Sequence, residues 1–471
     1  MVAEFIRALA AKAPGAPAIE LVINGDMVDF LAERESGAPS WVPFTANEND
    51  AAAKLETILD RDAVIVSALR EFLDRGHRLV LLLGNHDIEL ALPAVRRRLM
   101  QIIGVEGRHD FTFIYDGEAY CVGDALIEHG NRYDKFNVVD NDALRRVRSL
   151  LSRGQQVPAE YRFVPPPGSR MVSQVINPIK EKYRFVDLLK PETEAVIPLL
   201  LALEPGFRSL LASAVVVQAD ARHHRLAEPA LPMAGGDISS GSGIGDGSNG
   251  GMGGGMRGGG FDDMGGAPAV TSGPTDELDE LLSRSLGEDA EEFRSALKDD
   301  AAALGSDIST ADVINHSLGL LALLTARKSD QVEKRLGPLL MAVRAVRGNQ
   351  AFSRDVETDT ATWESACALA TGGSRYVVFG HTHLPKRVPF PGGGAYLNSG
   401  TWADVFAFPA EIVDLPEAEA RAALRDFVAR IEKGDFTEWT LFHPTYVRLD
   451  IDDSGVTRNA ELCDYAQGAA V

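Results

Sequence analysis

At 471 residues the chain can bury a full-sized core, as one large domain with an insertion or as two to three smaller ones. Its formal net charge of -21 excludes an extended electrostatic surface for nucleic acid or anionic lipid and leaves only a local basic pocket open. Cys121, Cys367 and Cys463 stand far apart, which excludes a CxxC zinc site and points to ordinary buried thiols in a reducing compartment.

Residues 1–17 lack a basic segment followed by an apolar run and a small-residue cleavage site, so a cytoplasmic location is expected. Phe5, Ile6, Leu9 and Ala10 recur at helical spacing and predict a helix over residues 4–13, stopped by Pro14-Gly15-Ala16-Pro17. Residues 19–23 read as a short apolar strand that delivers Asn24-Gly25-Asp26-Met27-Val28-Asp29. A turn-rich loop over 35–49 and a helix over 51–75, with Leu55, Ile58, Leu59, Ala63 and Val66 on one side, lead to a buried strand over 78–83. That closes a βαβ unit, and its second strand ends abruptly at Gly84-Asn85-His86-Asp87. A short helix follows over 91–103, then strands over 111–115, 119–122 and 125–128, the last delivering His129-Gly130-Asn131-Arg132-Tyr133-Asp134.

From residue 140 to 371 the pattern is helical and no polar strand end occurs. Within it, residues 235–275 are a different material, with 17 glycines among 41 residues and almost no branched apolar side chains; a flexible tether is expected there. No GxxxxGK[ST] occurs and no strand feeds it, so it is not a phosphate loop. The most apolar long stretch, 195–217, is interrupted by Glu204, Pro205, Gly206 and Arg208, which argues against a transmembrane helix. The apolar helices over 196–203 and 318–324 are expected to pack against each other, the alternative being a surface for a lipid-like leaving group.

The sheet pattern returns at 376–379, ending in Gly380-His381-Thr382-His383, and continues through 387–390 and 395–397 to Asn398-Ser399-Gly400-Thr401-Trp402. A helix over 418–431 and a strand over 445–451 finish the chain. The division expected is a core over 1–139, a helical insertion over 140–371 and a second core part over 372–471.

Four strand ends thus present Asp26, Asn85 with His86, His129, and His381 with His383. Any one histidine is readily explained by packing, but a set at the same structural position needs four coincidences. Mixed carboxylate, amide-oxygen and imidazole donors suit Mn, Fe, Zn or Co better than Mg or Ca. His86 can titrate near neutral pH, and the carboxylate of Asp87 is placed to orient it. His77, His109, His223, His224, His316 and His443 lack that context and read as surface or core residues.

The set Gly25-Asp26-Met27-Val28-Asp29, Gly84-Asn85-His86-Asp87, His129 and Gly380-His381-Thr382-His383 resembles the calcineurin-like metallophosphoesterase superfamily over about residues 1–135 and 372–405. Its forms look most like the bacterial branch that includes UDP-diacylglucosamine hydrolases. The resemblance implies an α/β fold, a two-layer mixed β-sheet sandwich flanked by helices, here with a large helical insertion. It implies two divalent metals, Mn first among them, with Asp26 bridging, Asn85, His129 and His381 completing one site, and His383 in the other. It further implies hydrolysis of a phosphomonoester, phosphodiester or pyrophosphate by a metal-activated hydroxide, with His86 protonating the leaving oxygen and Asp87 holding His86. Asp29 is expected as a positioning or capping residue, and Asn131 and Arg132 as phosphate contacts. One departure stands out: the family's opening DxH occurs nowhere here, which leaves the second site with Asp26 and His383 and suggests a start placed too late. The alternatives are a one-metal variant, a degenerate binding protein, or a phosphodiesterase acting on nucleotides or nucleic acid.

Overall fold

The computed structural model describes residues 1–11, 17–35, 37–186, 188–190, 192–204, 319, 322–323, 332–344, 352–409 and 411–466. The expected tether over 235–275 and His223, His224 and His316 lie outside the described residues. The molecule is mixed α/β, with several separate sheets.

Helix α1 (Val2–Ala10) buries Ala3, Phe5, Ile6, Leu9 and Ala10 on one face. Phe5 anchors it to the far end of the chain, with ring centroids 4.9 Å from Trp402, 4.9 Å from Tyr446 and 5.1 Å from Tyr465. Strand β1 (Glu20–Asn24) then enters the first sheet. The segment expected as one helix over 51–75 is two, α2 (Glu48–Arg61) and α3 (Ala63–Asp74), parted at Asp62 with φ -101 and ψ 22. The Asp62 carbonyl accepts from both Ile65 and Val66 amides and starts the second helix afresh. Leu55, Leu69 and Phe72 are completely buried, so both helices seat apolar faces on the sheet. Strand β2 (Arg78–Leu82) pairs in parallel with β1, Glu20 opposite Arg78 through Asn24 opposite Leu82. After α4 (Pro93–Ile103), β3 (Phe111–Ile114) adds to the other side of β2, also in parallel. The expected βαβ unit is present, with the ends of β1 and β2 side by side.

Strands β4 (Tyr120–Val122) and β5 (Ala125–Ile127) form an antiparallel pair. A helical region follows: α5 (Asn141–Leu151), then consecutive helical turns α6 (Pro167–Met171), Val172–Ile176 and α7 (Asn177–Lys180), the short β6 (Leu189–Lys190), α8 (Glu192–Leu203) and α9 (Val332–Val343). After α10 (Thr360–Thr371), the sheet resumes with β7 (Tyr376–Phe379), β8 (Lys386–Pro389) and β9 (Ala395–Asn398), giving a five-stranded sheet of order β4-β5-β7-β9-β8. Its inner face, with Ile127, Val378 and Leu397, packs against Val22 of β1 and against Val447 and Leu449. The two sheets therefore meet face to face, with the C-terminal ends of β1, β2, β5 and β7 at one junction.

The rest of the chain is β10 (Val405–Ala407), α11 (Glu411–Asp414), α12 (Glu417–Glu432), β11 (Thr440–Leu441), and the hairpin of β12 (Thr445–Ile451) with β13 (Thr457–Asp464). Strands β6, β10, β11 and β13 have no counterpart among the expected elements, and β6 falls within the stretch expected to be helical. Helix α12 and Phe406 of β10 pack with α8 and α9 in one apolar cluster that takes in Leu199, Leu200, Leu323, Leu339 and Phe427. No helix among the described residues is long and apolar enough to cross a membrane. The cysteines correct the expectation of buried thiols: Cys121 is exposed on the edge strand β4, Cys463 on the two-stranded hairpin is partly exposed, and Cys367, also partly exposed, packs beside the apolar cluster of Val377, Phe379 and Tyr396.

One buried carboxyl lies close behind the β2 end. Glu89 is 2% exposed and accepts from the Thr45 amide at 2.8 Å, while Lys54 Nζ lies 3.5 Å from Thr45 Oγ1. Burial pushes Glu89 up to about 7 against the opposing pull of the Thr45 hydrogen bond. Its folded-state pKa is raised, so its contribution is most favourable below the unfolded value of 4.5 and declines as pH rises to about 7. Glu89→Gln keeps the acceptor and removes the charge. The variant should equal the parent in stability near pH 4.5 and exceed it by on the order of 1–3 kcal/mol at pH 8, measured by urea denaturation across that range.

Candidate metal centre

The junction is built from short polar segments that follow four strands. At the end of β1 the chain turns through Gly25 with φ 78 and Asp26 with φ 50. A Cβ on Gly25 would lie 2.4 Å from His129 Nδ1, so only glycine lets the β1 end approach the β5 end this closely. The Asp26, His381 and His383 backbones all lie in the left-handed region, and they are the non-glycine residues with positive φ among those described.

Asp26, His129 and His381 come together with their ligand atoms all within 4.8 Å of one another. The His129 tautomer follows from its surroundings. Nδ1 lies 2.7 Å from the Asn24 carbonyl, which can only accept, so Nδ1 carries a proton, and in the neutral ring Nε2 keeps a lone pair. Nε2 lies 3.0 Å from Asp26 Oδ2, yet it is a buried atom with no properly directed hydrogen bond. Asn85, 2% exposed, donates from Nδ2 to Asn137 Oδ1 at 3.2 Å, and its Oδ1 is likewise buried without a partner. Two buried acceptor atoms without donors cost about 1–3 kcal/mol each. A cation satisfies lone pairs of this kind, so the donor set fits a metal ion. Among the described residues this group can hold one.

Without a cation, the electrostatics favour a proton on His129 Nε2 facing Asp26, the position a cation would take over. Burial opposes a charge on Asp26, but His129 and His86 outweigh it and hold the carboxyl well below its usual range. The His86 amide also donates to Asp26 Oδ1 at 2.9 Å. His129 is raised by Asp26 against the penalty of burial. His381 directs Nε2 at Asp134 Oδ2, 3.0 Å away, and Asp134 is held low by that imidazole despite its own burial.

His86 is held by a different carboxylate from the expected one. Its Nδ1 faces Asp29 Oδ1 at 3.1 Å, whereas Asp87 is completely buried and accepts from the Gly84 amide at 2.7 Å and the Met27 amide at 2.9 Å. Asp87 is thus a clasp between the ends of β1 and β2, its oxygens spent on two backbone amides. Asp29 orients His86 and also accepts from the Ala32 amide, combining the positioning and capping roles expected for it. Burial disfavours a charged His86, but Asp29 and Asp26 dominate and carry the ring up to about 10.

The remaining expected residues are placed as follows. His383 stands outside the three-residue ligand group. Arg132 donates to the Gly117 carbonyl and pairs with Glu128 at 3.4 Å, and Asn131 donates to the Asn137 carbonyl at 2.8 Å. Both side chains take part in holding the loop after β5. Asp134 and Asn137, in that same loop, were not singled out. Their signal was faint: Asp134 is five residues from His129, and nothing local marks it as a partner of His381.

Comparison with protein-family models, curated proteins and solved structures returned no match. The chemistry is carried by these residues alone.

If the cluster binds a cation, Mn at 100 times its dissociation constant should stabilise the chain by about 2.7 kcal/mol. In His129→Ala that increment should fall to near zero, and the metal-free stability should also drop by on the order of 2–4 kcal/mol, because a buried ring that bonds the Asn24 carbonyl and faces Asp26 is lost. Urea denaturation with and without Mn checks both.

Proposed function

We propose that this chain is a metal-dependent phosphoesterase with the two-layer fold of the calcineurin-like metallophosphoesterases, acting on a phosphomonoester, phosphodiester or pyrophosphate. The observation that carries the reading is the juxtaposition of two devices at one sheet junction. One is the Asp26, His129 and His381 donor group with the orphaned Asn85 oxygen; the other is His86, backed by Asp29 and tied to Asp26 through its own amide. The order of the strand-end segments supports the same reading, with UDP-diacylglucosamine hydrolase-type chemistry as one member of the substrate class.

Asp26, Asn85, His129 and His381 would hold the cation, with Mn, Fe, Zn or Co suited to this mixture of donors. When bound, the cation supplies charge neutralisation at the phosphoryl oxygens and an activated water. The chain's own residues supply the rest. Asp29 engages Nδ1 of His86 and leaves the opposite ring nitrogen as the donor. With its ring raised to about 10, His86 is an imidazolium at neutral pH, ready to give a proton to the departing oxygen. Asp87 keeps the β1 and β2 ends in register by its two amide bonds, so the His86 amide stays on Asp26.

Hydrolysis of p-nitrophenyl phosphate and bis-p-nitrophenyl phosphate by the whole chain, with Mn or with chelator, tests this. Turnover that requires Mn is expected, and His86→Ala should lower kcat about 10²- to 10⁴-fold while leaving Mn affinity unchanged. The rate should decline as pH rises towards 10, and Asp29→Asn should bring that alkaline limb to lower pH because the carboxylate that retains the proton is gone. A wild-type chain that binds Mn but turns over neither ester would sink the enzyme reading in favour of a metal-binding protein without catalysis.

A further inference from the structure

Among the described residues, the 167–180 helical segment rests against loops that border the metal centre. Gly168, in the first turn of α6, is buried, and its amide donates to the Phe136 carbonyl at 2.7 Å. A Cβ there would lie 2.2 Å from Asn137 Oδ1. Further along the same helical run, buried Asn177 donates to the Leu31 carbonyl at 2.7 Å, two residues beyond Asp29. One helical segment thus rests on both loops that carry partners of site histidines.

Asn137 is the link. Its Nδ2 donates at 2.7 Å to Asp134 Oδ2, the oxygen that also faces His381 Nε2 at 3.0 Å. Its Oδ1 accepts from Asn85 Nδ2 at 3.2 Å. The directions are forced in sequence. A carboxylate only accepts, so Asn137 must turn its NH₂ to Asp134 and its oxygen to Asn85. Asn85 must then spend its NH₂ on Asn137, which leaves its own oxygen as the buried orphan. One charge at Asp134 therefore sets the orientation of an imidazole on one sheet and an amide on the other.

We infer that Asp134 and Asn137, locked by the close approach of Gly168, are positioning residues that set His381 and Asn85 for a divalent cation, so that seating of the 167–180 helical segment controls cation affinity. This rests on the metal-centre reading above. Outer partners of metal ligands act through the ligand they hold, and losing one costs about 10- to 100-fold in affinity.

The test is Mn affinity of the full chain by calorimetry, for Gly168→Ala, Asp134→Asn and, as a distant control, Arg425→Ala, whose partner is Glu333 on α9. Gly168 has no positive φ, so alanine suits its helical backbone and acts by pushing on the Asn137 side chain and, more weakly, on the Phe136 carbonyl 3.0 Å away. Asp134→Asn keeps the shape and removes the charge together with the acceptor-only character that orders the chain of amides. Both are expected to weaken Mn binding about 10- to 100-fold, with the control unchanged. Wild-type binding with Asp134→Asn and a folded Gly168→Ala both within twofold of it would overturn the inference. A wild-type chain that binds no Mn would overturn it together with the metal centre. Affinity is read and not turnover, so a chain that binds Mn tightly without hydrolysing any ester would defeat the enzyme reading and leave this result standing.

Discussion

A charged Asp26 at the seam between two sheets is the constraint on which the rest depends. A carboxylate taken out of water costs several kcal/mol unless it is compensated, and here the compensation comes from both sides of the seam. The His86 amide approaches from the β2 end and the His129 ring from the β5 end. The two sheets cannot separate without stranding that charge. The clasp made by Asp87 reinforces the same point from within the first sheet, spending a second buried carboxylate on the amides that follow β1 and β2.

Around this seam the structure repeats one device. Three histidines near the centre each have one ring nitrogen committed to a fixed acceptor: His129 to the Asn24 carbonyl, His86 to Asp29, His381 to Asp134. A committed nitrogen fixes both the tautomer and the ring plane, so the free nitrogen is aimed without help from a ligand. Asn398 does similar work on the backbone after β7. Fully buried, it donates to the Gly380 carbonyl at 2.7 Å and to Thr382 Oγ1 at 3.1 Å, and so fixes the turn that carries His381 and His383.

Much of the scaffold was legible because its signals are local. The apolar runs before Asn24, Gly84, Glu128 and Gly380 are strands that end where the polarity changes, and a helix-bearing connection between the first two requires them to be parallel. The meeting of Asp26, His129 and His381 follows from that placement. What was not legible depends on direction after the strand ends. Adjacency in sequence favoured Asp87 as the partner of His86, but the turn after Gly84 sends the Asp87 side chain back to the amides of Gly84 and Met27 and leaves Asp29, from another strand, to meet the ring. Arg132 and Asn131 illustrate the same limit of local pattern, since a basic and an amide group beside a site histidine look alike in sequence whether they face a ligand or brace a loop. The break at Asp62 escaped notice because apolar spacing continues across it, and the second strand of the terminal hairpin because Thr457–Asp464 is mostly polar.

The left-handed backbone at Asp26, His381 and His383 gives the centre a thermodynamic character of its own. A side chain in that region costs about 1 kcal/mol or more relative to glycine, so the fold tolerates strain at three positions where relief is a single substitution away. At Asp26 that relief would be offset, since the His86 amide and the His129 ring would lose their buried partner, whereas at His381 and His383 the strained backbone is the term that selection for stability alone would act on. Stability and the centre are therefore in opposition in this protein, and engineering for thermal resistance has to gain its increments elsewhere.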